Sequence, residues 1–157
     1  MKDFSDILAA YSHAKKNLDR LWQEELAELD GFDELIRLAR QRLITQQAFF
    51  FLLIAQFEVE LNRLAAALID RMKQQADWRN RRVWEDLEHQ PERIRNIPVM
   101  RKVALLTDKR GVVYRRIKEL YDIRNRIAHG TLLTEEIDVG EIAREIQLFA
   151  AGLNEAS

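Results

Sequence analysis

Gln47-Ala48-Phe49-Phe50-Phe51-Leu52-Leu53-Ile54-Ala55-Gln56 sets eight consecutive apolar residues between two glutamines. A membrane-spanning helix needs ~20 such residues, so the run is a segment of a protein core. Around it, from Leu35 to about Met72, the apolar positions keep a helical period through nearly forty residues without a glycine or a proline. The stretch reads as one long helix or as two helices broken near Gln46. Its middle is apolar nearly all round, as in a helix surrounded by protein on every side, and it is expected to be the buried spine of the fold.

The rest of the chain agrees with a helical spine. Five glycines and two prolines in 157 residues supply too few turn and bulge residues for a many-stranded sandwich or barrel. Hydrophobic residues at 47% and charged residues at 32% provide the apolar surface that a disordered chain lacks. The length suits one core. The expectation is an all-α, single-domain helical bundle of five to seven helices over residues 1–157. With no cysteine there is no disulfide framework, no thiolate zinc site and no thiol nucleophile. Met1-Lys2-Asp3-Phe4-Ser5-Asp6 also lacks the basic start of a secretory leader, and a cytoplasmic location without membrane insertion is expected.

Phe4, Ile7, Leu8, Tyr11, Leu18, Leu21, Trp22, Leu26 and Leu29 form the stripe of a first amphipathic helix. Asp30-Gly31 is a turn signal, and Asp33 can cap the helix that follows. Residues 73–98 are less regular. Trp78, Val83, Trp84 and Leu87 are spaced for one short helix, flanked by loops that contain Pro91 and Pro98. Val99–Leu106 can form another short helix. The next runs from about Val112 to Ala128, with Gly130 suited to the left-handed position beyond its end. Asp138 and Glu141 have capping-box spacing, with Ile137 and Ile142 as the hydrophobic staple. The last helix therefore starts near Val139.

A formal net charge of −1 conceals an uneven distribution. Residues 71–130 hold 16 basic against 8 acidic side chains, whereas both flanking segments are acidic. Of the 25 basic residues 18 are arginine, and guanidinium suits bidentate phosphate contacts better than ammonium does. Two readings are open: a phosphate-bearing partner, or solvated helix faces on which each arginine is paired with a carboxylate.

One arginine stands where a leucine belongs. On the helix from Val112 to Ala128, at ~100° per residue, Val113, Ile117, Leu120, Ile123, Ile127 and Ala128 share one arc. Arg124 falls inside it, about 40° from Leu120, and Arg116 lies about 40° to the other side. A guanidinium buried there must be satisfied by a carboxylate, a phosphate or a carbonyl. A core salt bridge is one solution. The other involves His129, which Gly130 allows to leave the helix and turn back toward Arg124. An arginine and a histidine converging at a helix end would bind phosphate and transfer a proton near neutral pH, with Asn125 adding an amide that orients them.

Tyr121-Asp122-Ile123-Arg124-Asn125-Arg126-Ile127-Ala128-His129-Gly130 resembles the signature of the HEPN superfamily, an all-helical group of prokaryotic toxins and defence ribonucleases. Its hallmark is an arginine, often followed by a polar residue, with four to six residues before a histidine. Spacing alone is a weak criterion in a chain with 18 arginines, and Arg82 with His89 matches it as well. Asn125, the small Ala128, Gly130 and the place at the end of a penultimate helix distinguish Arg124 and His129. The resemblance covers about ten residues. It implies a homodimer with the motif in a cleft between protomers, and metal-independent endoribonuclease activity without a cofactor. Arg124 would bind the scissile phosphate, His129 would handle the proton of the 2′-hydroxyl or leaving group, and Asn125 would orient them. It also implies a stress, phage-defence or toxin setting with an antitoxin or other regulatory partner. Toxins paired with a nucleotidyltransferase antitoxin carry a tyrosine two positions after the histidine, where this chain has Thr131. Many members are non-catalytic modules, so binding of protein, nucleotide or RNA through the same cleft is the alternative.

Arg116, Arg126, Arg79, Arg81 and Arg82 are further candidates for RNA contacts. Trp78 and Trp84 beside the last three could stack on single-stranded bases, although packing beneath the short helix is the expectation for both. Phe49, Phe50, Phe51 and Phe57 read as core or dimer contacts. Glu85 and His89 have i, i+4 spacing, but Pro91 follows and no further histidine is near, which suits a surface helix end better than a metal site. Asp122 and Glu119 read as surface carboxylates.

Overall fold

A computed structural model describes residues 3–27, 32–75, 77–87 and 91–156. Every regular element among them is a helix, as the sequence predicts: α1 (Phe4–Ala27), α2 (Phe32–Gln75), α3 (Trp78–Leu87), α4 (Pro91–Asn96), α5 (Val99–Leu106), α6 (Val112–Ala128) and α7 (Val139–Ala156). No helix among the described residues is long and apolar enough to cross a membrane. The long apolar stretch is one uninterrupted helix of 44 residues, and no break occurs at Gln46. Asp33, expected as a cap, lies inside the first turn of α2 with Glu34, where negative charge still favours the helix dipole. The turn signal Asp30-Gly31 and the histidine His89 lie outside the described residues.

Two differences from the sequence reading concern residues 73–98. α2 continues to Gln75, and a six-residue helix, α4, occupies what was expected to be loop. It begins on Pro91, whose fixed φ and missing N–H suit a first helical position. The boundaries of α6 and α7 agree with the sequence because their signals are local. The amide of Glu141 donates to Asp138 Oδ1 at 2.9 Å, and the staple residues Ile137 and Ile142 are both buried.

The chain divides into two compact units. Unit 1 comprises residues 1–56 and 122–145. Its buried side chains include Phe4, Leu38, Phe50, Leu53, Leu133 and Val139. Tyr11 of α1 meets Phe49 of α2 with ring centroids 5.4 Å apart. Arg42 of α2 pairs with Asp19 at 3.2 Å and lies 5.4 Å from the Trp22 ring.

Unit 2 comprises residues 57–121 and 146–157. Here Leu61, Leu64, Ile69, Val103, Ile117, Leu120 and Ile146 are buried, and so is a lysine. Lys102, only 2% exposed, donates from Nζ to Asn62 Oδ1 at 2.6 Å and more weakly to the Arg95 carbonyl at 3.5 Å. Burial lowers its pKa from the ordinary lysine value, an effect that Glu58 opposes. Between that lowered value and the ordinary one the unfolded chain binds more protons than the folded chain, so this group makes stability rise with pH there. Lys102→Met should remove that alkaline rise and change stability at neutral pH by less than about 1 kcal/mol, since an apolar group of similar shape can replace a buried charge. Asn62→Leu, which leaves the ammonium buried without its best acceptor, should cost about 2–4 kcal/mol. Urea melts of both variants across pH check this prediction.

Candidate functional site

Arg124, Asn125, Arg126 and His129 all belong to unit 1. They occupy the last turn of α6 and its end. Arg124 is half-buried among Ile123 and Ile127 of its own helix, as the apolar arc requires. Its guanidinium carbon lies 4.9 Å from the centre of the Phe51 ring of α2. Nη1 donates to the Asn125 side-chain oxygen at 3.3 Å. A cation over an aromatic ring contributes roughly 0.5–2 kcal/mol according to its exposure, so Phe51 offsets part of the cost of holding the charge there. Phe51, expected as a core or dimer contact, is half-buried and serves as a contact for Arg124.

α6 ends in a glycine cap. The amide of His129 donates to the Asn125 carbonyl, the amide of Gly130 to Ile127 and the amide of Thr131 to Arg126, each at 3.0 Å. Gly130 has φ of 82°. Together these bonds make a Schellman motif, which satisfies carbonyls that a helix end otherwise leaves open. A Cβ on Gly130 would meet nothing within 4 Å. Glycine is therefore required by the left-handed backbone and not by lack of space.

The same cap fixes where His129 stands. Its amide still makes the helical bond to Asn125, and the chain turns away at Gly130, one residue later than a return of the imidazole toward Arg124 would require. Five helical steps set the two side chains about 140° apart around the axis. Arg124 faces Phe51, whereas His129 is exposed and its imidazole makes no hydrogen bond or ion pair among the described residues. The fold brings Arg124 and Asn125 together and holds His129 close by on a different aspect of the helix end.

Beyond the cap, residues 131–138 carry no regular structure, yet α2 holds them firmly. Gln47, only 3% exposed, donates from Nε2 to the Leu133 carbonyl at 2.9 Å and accepts from the Leu133 amide at 3.1 Å. Gln46 Oε1 accepts from the Ile137 amide at 3.1 Å. The sequence pattern marks Gln46 as a possible helix break and Gln47 as the edge of the apolar run, and assigns neither of them a loop contact. The available signal was the presence of two amides at the edge of an apolar run, where only a polar partner from elsewhere could satisfy them.

An open groove of about 270 Å3 flanks the cap, lined by Ile44, Gln47, Ala48, Ile127, Gly130, Thr131 and Leu132. Ile44 and Leu132, with Leu52 one turn beyond Ala48, are large apolar side chains exposed to solvent. Arg126 is exposed. In unit 2, Arg116 pairs with Glu119 at 3.1 Å. Both Glu119 and Asp122 are exposed, as expected of surface carboxylates. Trp84 is half-buried, but Trp78 is 63% exposed, so the expectation that both tryptophans pack beneath α3 fails for Trp78. Among the described residues no group of three or more His, Asp or Glu is placed to hold a metal ion.

Comparison with protein-family models, with curated proteins and with solved structures gave no match.

Proposed function

We propose that this chain is a metal-independent endoribonuclease of the HEPN type, in which Arg124, Asn125 and His129 form half of a site completed by a second copy of the chain. One observation carries the reading. A guanidinium braced by Phe51 and Asn125 and an exposed, uncommitted imidazole share the capped end of one helix. Arg124 would grip two phosphate oxygens through its planar fork. His129 would take the proton of the 2′-hydroxyl, whose oxygen attacks phosphorus while the bond to the 5′-oxygen breaks. A second acid, the equivalent imidazole of the other copy, protonates the leaving oxygen. The products are a 2′,3′-cyclic phosphate and a 5′-hydroxyl. Arg126, exposed on the same turn, would contact a neighbouring phosphate.

Homodimerisation is supported by the groove beside His129 and by the exposed Ile44, Leu52 and Leu132 around it. A symmetric pairing through one self-complementary patch is the commonest way to close such a face. An antitoxin or other regulatory protein would act by covering the same groove. Thr131 stands where the family's modifiable tyrosine would be, so control by modification at that position is not part of the proposal.

One observation favours a second reading. Within a single chain Arg124 faces Phe51 and His129 faces solvent, an arrangement that suits a non-catalytic module binding protein, nucleotide or RNA through the groove. Arg124→Lys separates the two readings, because an ammonium keeps the charge but not the fork that holds a phosphate in transition-state geometry. For an enzyme, cleavage should fall far more than affinity for a labelled single-stranded RNA. For a module, only affinity should fall, and the parent chain should cut nothing.

A further inference from the structure

We infer that α3 carries a binding platform for single-stranded RNA, built on Trp78. The inference extends the ribonuclease reading by assigning the ligand's class to a surface of unit 2, and it is tested on binding alone.

Trp78 is the first residue of α3, directly after the residue that caps it. Asp77 Oδ1 accepts the amides of Arg79 and Asn80 at 2.9 and 3.0 Å, and the Asp77 carbonyl accepts the amide of Arg81 at 2.8 Å. The helix end is therefore closed by its own carboxylate, and the indole projects from a fixed first turn. It remains 63% exposed, although indole is a large apolar surface that folding normally removes from water. The carbons of two guanidinium groups, from Arg79 and Arg82, lie 5.4 and 5.7 Å from its ring centre. Arg81 is exposed nearby, and none of the three arginines makes an ion pair among the described residues.

The order of charge along α3 runs against helix stability. Its first turn holds no acidic residue. The three arginines fill the first half, and Glu85 and Asp86 stand in the second. The helix dipole favours the opposite arrangement. Asp77 forms no ion pair with them, since Oδ1 accepts the two amides and Oδ2 the Asn80 side chain at 3.3 Å, and its single negative charge stands against three positive ones. The result is a cationic cluster around an exposed aromatic ring, displaced from the acidic end of the helix.

That combination fits one class of ligand closely. Unpaired bases stack on aromatic rings and on guanidinium planes, while cations beside them take the phosphates. A duplex hides its base faces and would find only the charges. An acidic peptide would use the arginines but would leave the indole exposed.

Binding of a short fluorescein-labelled oligouridylate, followed by anisotropy in EDTA on the His129→Ala background, tests the inference without cleavage. Trp78→Ala should weaken binding ~10-fold, the effect of losing one stacked base, and Trp78→Phe should restore most of it. Arg79→Gln, Arg81→Gln and Arg82→Gln should each flatten the dependence of log affinity on log salt by ~0.7, one phosphate contact apiece. Because Trp78 is exposed and the cap is made by Asp77, the helical circular dichroism should be unchanged. Unaltered binding by Trp78→Ala would overturn the inference. So would Trp78-dependent binding to phosphatidylserine vesicles without binding to the oligonucleotide, or loss of a dimer in sedimentation by Trp78→Ala while its RNA binding equals the parent's. Failure of the ribonuclease reading would appear elsewhere, as absence of cleavage by the chain with His129 intact.

Discussion

His129→Ala should reduce RNA cleavage by ~10²–10⁴-fold, the range over which a positioned acid or base accelerates proton transfer, and leave the fold untouched. The imidazole is exposed and holds nothing in place among the described residues, so its removal takes no packing with it. Arg124→Ala should reduce cleavage by a similar factor. Its cost to folding should include the roughly 0.5–2 kcal/mol of the cation–ring contact with Phe51. Asn125→Ala should lose less than either, since Asn125 steadies Arg124 through one hydrogen bond of 3.3 Å. His89→Ala, which destroys the competing pair with Arg82, should cut RNA at the parent rate. Equal losses in the His89 and His129 variants would show that the Arg124 motif is not the site. Initial rates on a labelled RNA, normalised to the helical signal, decide between these outcomes.

The second large effect is on stability. Gln47→Leu should destabilise the protein by about 2–5 kcal/mol, because it leaves both the amide and the carbonyl of Leu133 without a partner in a buried setting and each such group costs about 1–3 kcal/mol. At this chain length that corresponds to a fall in Tm of roughly 5–15 °C. Gln46→Ala removes one acceptor from a half-buried site and should cost about 0.5–1.5 kcal/mol. Cleavage by Gln47→Leu should also fall at temperatures where it remains folded, since the segment that leads away from the His129 cap would lose its anchor. A change of less than 0.5 kcal/mol in a urea melt would mean that the loop does not depend on α2.

Local signals were legible in the sequence, and long-range ones were not. The ends of α6 and α7 follow from Gly130, Asp138 and Ile137, each acting within a few residues of itself. Arg124 is legible because a cation inside an apolar arc is costly and therefore informative. The same test applied to α5 would have found Lys102, which lies on the face of Val99, Val103 and Leu106 and is almost wholly buried. Gln47 and Leu133 are 86 residues apart, a pairing that no local pattern specifies. Helical period alone could not choose between one helix and two at Gln46, because both keep the apolar positions in phase. α4 leaves no periodic signal in the sequence because six residues are too few to show one. Trp78 was expected to be packed because burial of tryptophan is the rule, and whether another element covers a side chain is a tertiary property. The orientation of His129 turns on a single residue of backbone, the difference between leaving the helix at His129 and leaving it at Gly130.

The central claim, that an arginine and a histidine at the end of α6 cut RNA unaided by metal, is tested most directly by the chemistry of the cut ends. A 5′-labelled RNA incubated with the purified chain in excess EDTA should be cleaved, and the fragments should carry 2′,3′-cyclic phosphate that acid opens and a phosphatase then removes. RNA that stays intact in EDTA, or fragments ending in a 3′-hydroxyl, would contradict it.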